Sequence, residues 1–210
     1  MARVEQVAMV TANNTSTRER YMSKSNEWFT PSKYIEAARQ VMGGIDLDPA
    51  SCEQANQIVK ATTYYTEQQN GLVWPWYGRV WLNPPYGSTL GIPGRTGNQE
   101  GLTKPFVLKL IREYTQEHIS QAILCVTTDT DAKWFIPLWE YTICFATHKV
   151  MFHRPGQSNS GQFYGTCFVY FGSSKDKFTE TFSQFGRIAR AIDTPKPKPV
   201  NLDLWQEAAS

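Results

Sequence analysis

Arg79-Val80-Trp81-Leu82-Asn83-Pro84-Pro85-Tyr86-Gly87 is an apolar run that stops abruptly in two prolines. Val80, Trp81 and Leu82 favour an extended, half-buried strand. Pro84 has no N–H to give to a ladder, so the strand ends at or near Asn83. Open α/β sheets bind ligands in the crevice beyond the carboxyl ends of their strands, and Asn83 to Tyr86 stand there. The prolines fix two φ angles, so the Asn83 side chain and the Pro84 carbonyl form a rigid pair of acceptors beside the Tyr86 ring. Such a pair suits a planar exocyclic amine or amide nitrogen. Accepting its hydrogens favours a pyramidal nitrogen whose lone pair faces an incoming electrophile, a preorganised electrostatic effect. The competing reading is a proline-rich turn after a core strand.

Upstream, Ile45-Asp46-Leu47-Asp48-Pro49-Ala50-Ser51 reads as a second short strand, ending in Asp48-Pro49. Asp46 and Asp48, at alternate positions, fall on one side of it, where a core has no use for carboxylates. At a strand's carboxyl end they accept from hydroxyl or ammonium groups of a ligand; the alternative is that Asp48 or Ser51 caps the following helix. Before that strand, Glu27-Trp28-Phe29-Thr30-Pro31 announces a helix, with Thr30 as N-cap and Pro31 at the first helical position. Tyr34, Ile35, Ala38, Val41 and Met42 give its apolar stripe, and Gly43-Gly44 ends it. Trp28 and Phe29 read either as a hydrophobic staple or as a lid over a ligand.

Downstream, residues 87–101 form a long Gly-rich stretch, read as a connector or a substrate clamp; it lacks the Gly-Lys-Ser/Thr of a phosphate-binding loop. Thr103-Lys104-Pro105 opens a helix, Ala122 to Thr127 forms a buried strand, and Asp131 starts a helix carrying Trp134, Phe135 and Trp139. Three strands follow, at residues 141–145, 149–152 and 166–171, close enough in sequence for an antiparallel pair. Early strands alternating with helices and a late hairpin predict an α/β fold of Rossmann-like type, mostly parallel with an antiparallel edge hairpin.

The chain has 210 residues, enough for one domain with tails and a substantial core. Its formal charge of +2 neither announces nor excludes nucleic-acid binding. Cys52, Cys125, Cys144 and Cys167 are too widely spaced for a zinc site or a disulfide framework and read as free thiols of a cytoplasmic protein. His148 and His153 have no metal-ligand partners at useful spacing, so no metal site is expected. Neither a membrane span nor an apolar signal region is visible.

The order and spacing of Glu-Trp-Phe-Thr-Pro, Asp-Leu-Asp-Pro-Ala and Arg-Val-Trp-Leu-Asn-Pro-Pro-Tyr resemble the phage-type Dam-like DNA adenine-N6 methyltransferases, from about Glu27 to Phe171. The resemblance implies a class I methyltransferase fold, a seven-stranded sheet with one antiparallel strand. It implies that Asn83, Pro84, Pro85 and Tyr86 are the catalytic motif, with Tyr86 stacking on an adenine flipped from double-stranded DNA. It implies S-adenosylmethionine as cofactor, held by Trp28, Thr30, Pro31, Asp46, Asp48 and Ala50. One departure is that Pro49-Ala50-Ser51 follows Asp48 where class I enzymes carry Gly-x-Gly.

Arg95, Lys104 and Arg154 are candidate DNA contacts. Residues 1–25 read as a flexible arm, 26–192 as one methyltransferase domain and 193–210 as a Pro/Lys-containing tail. So little sequence lies outside the core that a short or relaxed recognition site, or a dimer, is expected. Rival readings keep the fold but change the acceptor to cytosine, guanine or a glutamine amide, or make the chain a non-catalytic anti-restriction protein. The resemblance also implies a phage or prophage origin and a role in shielding DNA from restriction.

Overall fold

The computed structural model describes residues 28–85, 101–153 and 165–191. Tyr86, Arg95 and Arg154, together with the arm and tail expected at the two ends, lie outside the described residues.

Helix α1 (Ser32–Met42) buries Tyr34, Ile35, Ala38, Val41 and Met42, the stripe that its 3.6-residue period predicts. Gly43 closes it at φ 80°, its N–H bonded to the Arg39 carbonyl. The start differs from expectation. Pro31, not Thr30, is the N-cap, in extended conformation and without a side-chain cap bond. The chain then forms β1 (Leu47–Asp48), α2 (Glu53–Val59), β2 (Thr63–Tyr64) and β3 (Gly78–Leu82). Neither Asp48 nor Ser51 caps α2; Cys52 does, its Sγ accepting from Ala55 N at 3.5 Å. Next come α3 (Thr103–Thr115), β4 (Ile119–Thr127), a short 3₁₀ helix (Ile136–Glu140), β5 (Thr142–Ala146), β6 (Thr166–Phe171), α4 (Lys175–Phe182) and β7 (Gly186–Ala189).

Two late expectations are corrected. Residues 131–139 form turns and the 3₁₀ helix because Pro137 sits in its first turn and supplies no N–H to an α-helical ladder. Residues 149–152 join no ladder; only His153 makes an isolated antiparallel bridge, to Phe29.

The strands form one seven-stranded sheet in the order β2-β1-β3-β4-β6-β5-β7. β1 to β5 run in one direction and β6 and β7 in the other, so half of the neighbouring pairs are antiparallel. The α/β class stands, but antiparallel pairing is not confined to an edge hairpin, and two strands run against the rest where the resemblance implied one. β6 inserts between β4 and β5, all six of its residues buried.

Alternation along the strands separates two cores. Trp81, Ile123, Cys125, Phe168 and Tyr170 pack under α1, α2 and α4; Val80, Leu82, Leu124, Val126 and Val169 pack under α3. Cys125, Cys144 and Cys167 are buried and Cys52 is partly buried, none of them in a disulfide.

Candidate active site

The site assembles where β1 and β3 end side by side. Leu47 is in register with Val80, so the residues that follow β1 and those that follow β3 leave the sheet at the same edge. Asn83 and Pro85 are partly buried and Pro84 is buried. Thr103 Oγ1 donates to the Pro85 carbonyl at 3.3 Å, seating the first turn of α3, and with it Lys104, beside the motif.

The Asn83 amide donates from Nδ2 to the main-chain carbonyl of Trp28 at 3.0 Å. Its Oδ1 is buried without a hydrogen-bond partner among the described residues, and so are Thr30 Oγ1 and Ser51 Oγ. Buried polar atoms are almost always satisfied. All three lie within a few residues of the Trp28–Asn83 contact or of the end of β1, which makes this edge the candidate site.

Asp48 is the fourth member. Only 3% exposed, it accepts from Ala50 N at 3.2 Å. Burial pushes its carboxyl up to about 7, opposed by the Ala50 N–H and the nearby Ser51 hydroxyl, with no cation contributing. The Ser51 hydroxyl is close enough to matter yet outside hydrogen-bonding geometry.

Asp46 faces elsewhere. Arg79 grips it with Nε at 2.8 Å, Nη2 at 2.7 Å and its backbone N–H at 2.8 Å, and this pairing holds the Asp46 carboxyl below its ordinary range. Asp46 lies just before β1, so strand alternation does not govern its side chain. It sits level with the start of β3, against Gly78, and not at the carboxyl edge.

The structure therefore brings Trp28, Thr30, Pro31, Asp48, Ala50 and Asn83 to Pro85 into one region and leaves Asp46 in an ion pair. The family model for Dam, DNA N-6-adenine-methyltransferase, matches residues 16–163, well over half of the chain. The chain belongs to the Dam family of DNA N-6-adenine-methyltransferases. The family's activity is methylation of adenine N6 in DNA. No curated protein matches the chain.

Sequence reasoning missed Ser51 as a site residue, the carbonyl of Trp28 and the tie from Thr103. Ser51 stands beside Asp48-Pro49-Ala50, but a serine just before a helix suits a cap equally well. The Trp28 carbonyl left no signal, because every residue carries one. Among the described residues no group of His, Cys, Asp and Glu is arranged to hold a metal, and no helix is long and apolar enough to cross a membrane.

Proposed function

We propose that this Dam-family enzyme takes adenine flipped out of double-stranded DNA and holds its amino group on Asn83 Oδ1 and the Pro84 carbonyl. The observation that carries this reading is the buried, unpartnered Oδ1 beside an Nδ2 that is already engaged. An acceptor kept in place with nothing to accept is preorganised for an incoming N–H, so little reorganisation is needed at the moment of reaction. Adenine N6 attacks with its lone pair once the two acceptors have drawn its hydrogens out of the ring plane, and the surplus proton leaves to solvent. Tyr86 stacks on the base, and Pro84 and Pro85 keep the loop stiff.

S-adenosylmethionine, when bound, would supply the electrophilic methyl group, its sulfur–methyl bond breaking as N6 takes the methyl and a neutral thioether being left. The residues present fit it: Asp48 offers a carboxylate with no cationic partner among the described residues, and Thr30 Oγ1 and Ser51 Oγ offer unsatisfied hydroxyls. Trp28, Pro31 and Ala50 supply the surrounding apolar and main-chain surface. Asp46 is left out of this set because Arg79 makes three hydrogen bonds to its carboxylate and neutralises its charge. Lys104, Arg95 and Arg154 serve the DNA backbone. We place the enzyme in the cytoplasm of a bacterial host, phage or prophage encoded, acting as monomer or homodimer on a short or relaxed site.

The test is to incubate unmethylated DNA with the protein and labelled S-adenosylmethionine, digest to nucleosides and analyse by mass. N6-methyladenine is expected, falling by about a hundredfold to a thousandfold with Asn83→Ala while cofactor binding stays nearly intact. Equal loss of both would mean that Asn83 does not hold the adenine amine.

A further inference from the structure

We propose that the Trp28–Phe29 peptide group is a positioning element that sets the orientation of the Asn83 amide and restricts residue 83 to a side chain able to donate. The inference rests on Asn83 as the acceptor of the adenine amine. An amide presents an acceptor on one side and donors on the other, and the Trp28 carbonyl can only accept. The observed 3.0 Å contact therefore requires Nδ2 to face Trp28 and leaves Oδ1 as the open atom. Turned over, the amide would set two oxygens against each other and present donors to a substrate that is itself a donor.

What holds that carbonyl is the other end of the same peptide plane. Phe29 N donates to the His153 carbonyl at 2.8 Å, and His153 N returns a bond to the Phe29 carbonyl at 3.0 Å. A trans peptide is planar, with its C=O and N–H pointing opposite ways. The plane is thus stretched between His153 and Asn83, and fixing one end aims the other. Residue 28 lies 55 positions before Asn83 and in no helix or strand; its side chain packs against the core, and the bridge is what fixes the tilt of its peptide plane. Pro31, fixed at φ −56°, follows closely and leads straight into α1, which steadies the segment from the other side.

Two kinds of variant test this. In Asn83→Asp the carboxylate has no hydrogen to give and is repelled by the Trp28 carbonyl; only the protonated acid can replace Nδ2–H. Its kcat, divided by that of the parent at each pH, is expected to be down by at least about tenfold where the carboxyl is charged and to recover as pH falls and the carboxyl takes up its proton. A ratio near unity throughout, or a deficit that does not change with pH, would overturn the proposal. The second pair is Phe29→Pro against Phe29→Ala. Both remove the ring, but only proline removes the N–H that binds His153. Phe29→Pro should lose about tenfold more kcat than Phe29→Ala, and equal values would sink the idea. If Phe29→Pro does not fold by circular dichroism, the pH profile alone decides. Full activity of Asn83→Ala would instead show that the role of Asn83 as acceptor, and not its positioning, is wrong.

Discussion

Asp46 and Asp48 stand two residues apart in the chain and titrate in opposite senses. Arg79 holds Asp46 down, so its contribution to stability is present above the unfolded carboxyl range and is lost as pH falls through its lowered folded value. Asp48 runs the other way. Its folded value near 7 lies above the ordinary value of 3.8, so the native state binds the proton more tightly; stability is fullest below the unfolded value and declines as pH rises toward 7. The span corresponds to a ceiling of roughly 4 kcal/mol. Asp48→Asn should therefore gain stability relative to the parent as pH rises from about 4 to about 8, measured as the difference in urea unfolding free energy. A difference that is flat with pH would mean that the carboxyl is already charged in the folded protein.

The same residue makes a binding prediction. If Asp48 pairs with a cationic group of S-adenosylmethionine, binding drives off its proton, so affinity rises with pH up to about 7 and calorimetry in buffers of different ionisation heat shows proton release. In Asp48→Asn affinity should be at least about tenfold weaker and insensitive to pH over that range. Asp46→Asn should do neither: it loses stability, about 1–3 kcal/mol from the broken pair with Arg79, and leaves cofactor affinity within a few-fold of the parent. Loss of affinity without loss of stability in Asp46→Asn would restore Asp46 to the cofactor site.

Among the elements, β3 leads into the Asn83-Pro84-Pro85 segment, and its first residue decides how it enters the sheet. Gly78 has φ 66°, and a Cβ built on it would lie 2.5 Å from Asp46 Oδ2. Only glycine combines that backbone with the close approach of the carboxylate, and the register shift between Gly78 and Arg79 follows directly. Gly78→Ala is expected to destabilise by roughly 1–3 kcal/mol through strain alone, with more from displacing Asp46 out of the grip of Arg79. The chemical-denaturation midpoint reads it, and a change under about 0.5 kcal/mol would mean that β3 re-enters the sheet at no cost.

The end of β3 was legible in the sequence because Pro84 can do only one thing to a ladder. Its beginning was not, because the partner that shapes it, Asp46, lies 33 residues away and the pairing is tertiary. The same division holds elsewhere. α1, α3 and β6 follow from periodicity and continuous burial, which are local properties. Thr30 was a poorer guide: its hydroxyl suits an N-cap, but the helix starts two residues later and the hydroxyl is left buried and unsatisfied. At Ile136–Glu140 the spacing of Trp134, Phe135 and Trp139 suits an α-helix, and Pro137, which cannot serve its ladder, outweighs that spacing.

At the scale of the molecule, the family match and the folding unit do not coincide. The match ends at residue 163, before β6, yet β6 lies between β4 and β5 near the middle of the sheet. It bonds β4 along six residue pairs and β5 along four, and carries Phe168 and Phe171, both fully buried. The chain after it completes the same core: Phe178 and Phe182 of α4 are fully buried, Phe178 stacking on Tyr170 with rings 11° from parallel. A chain ending at residue 163 would leave two strands without their shared neighbour, opening rows of buried N–H and C=O groups as well as apolar surface on both faces. Such a chain should show no cooperative thermal transition and should aggregate, although it contains Asp48, Asn83 and every other residue assigned to the chemistry. A milder version of the test stays within the full chain. Phe178→Ala removes a buried ring far from the site and should cost about 3–5 kcal/mol in unfolding free energy, with kcat unchanged at temperatures where the variant is folded. A cooperative transition in the shortened chain would show that β4 and β5 can close the gap without β6, and the order of the sheet would then not be what holds β3 and the Asn83-Pro84-Pro85 segment in place.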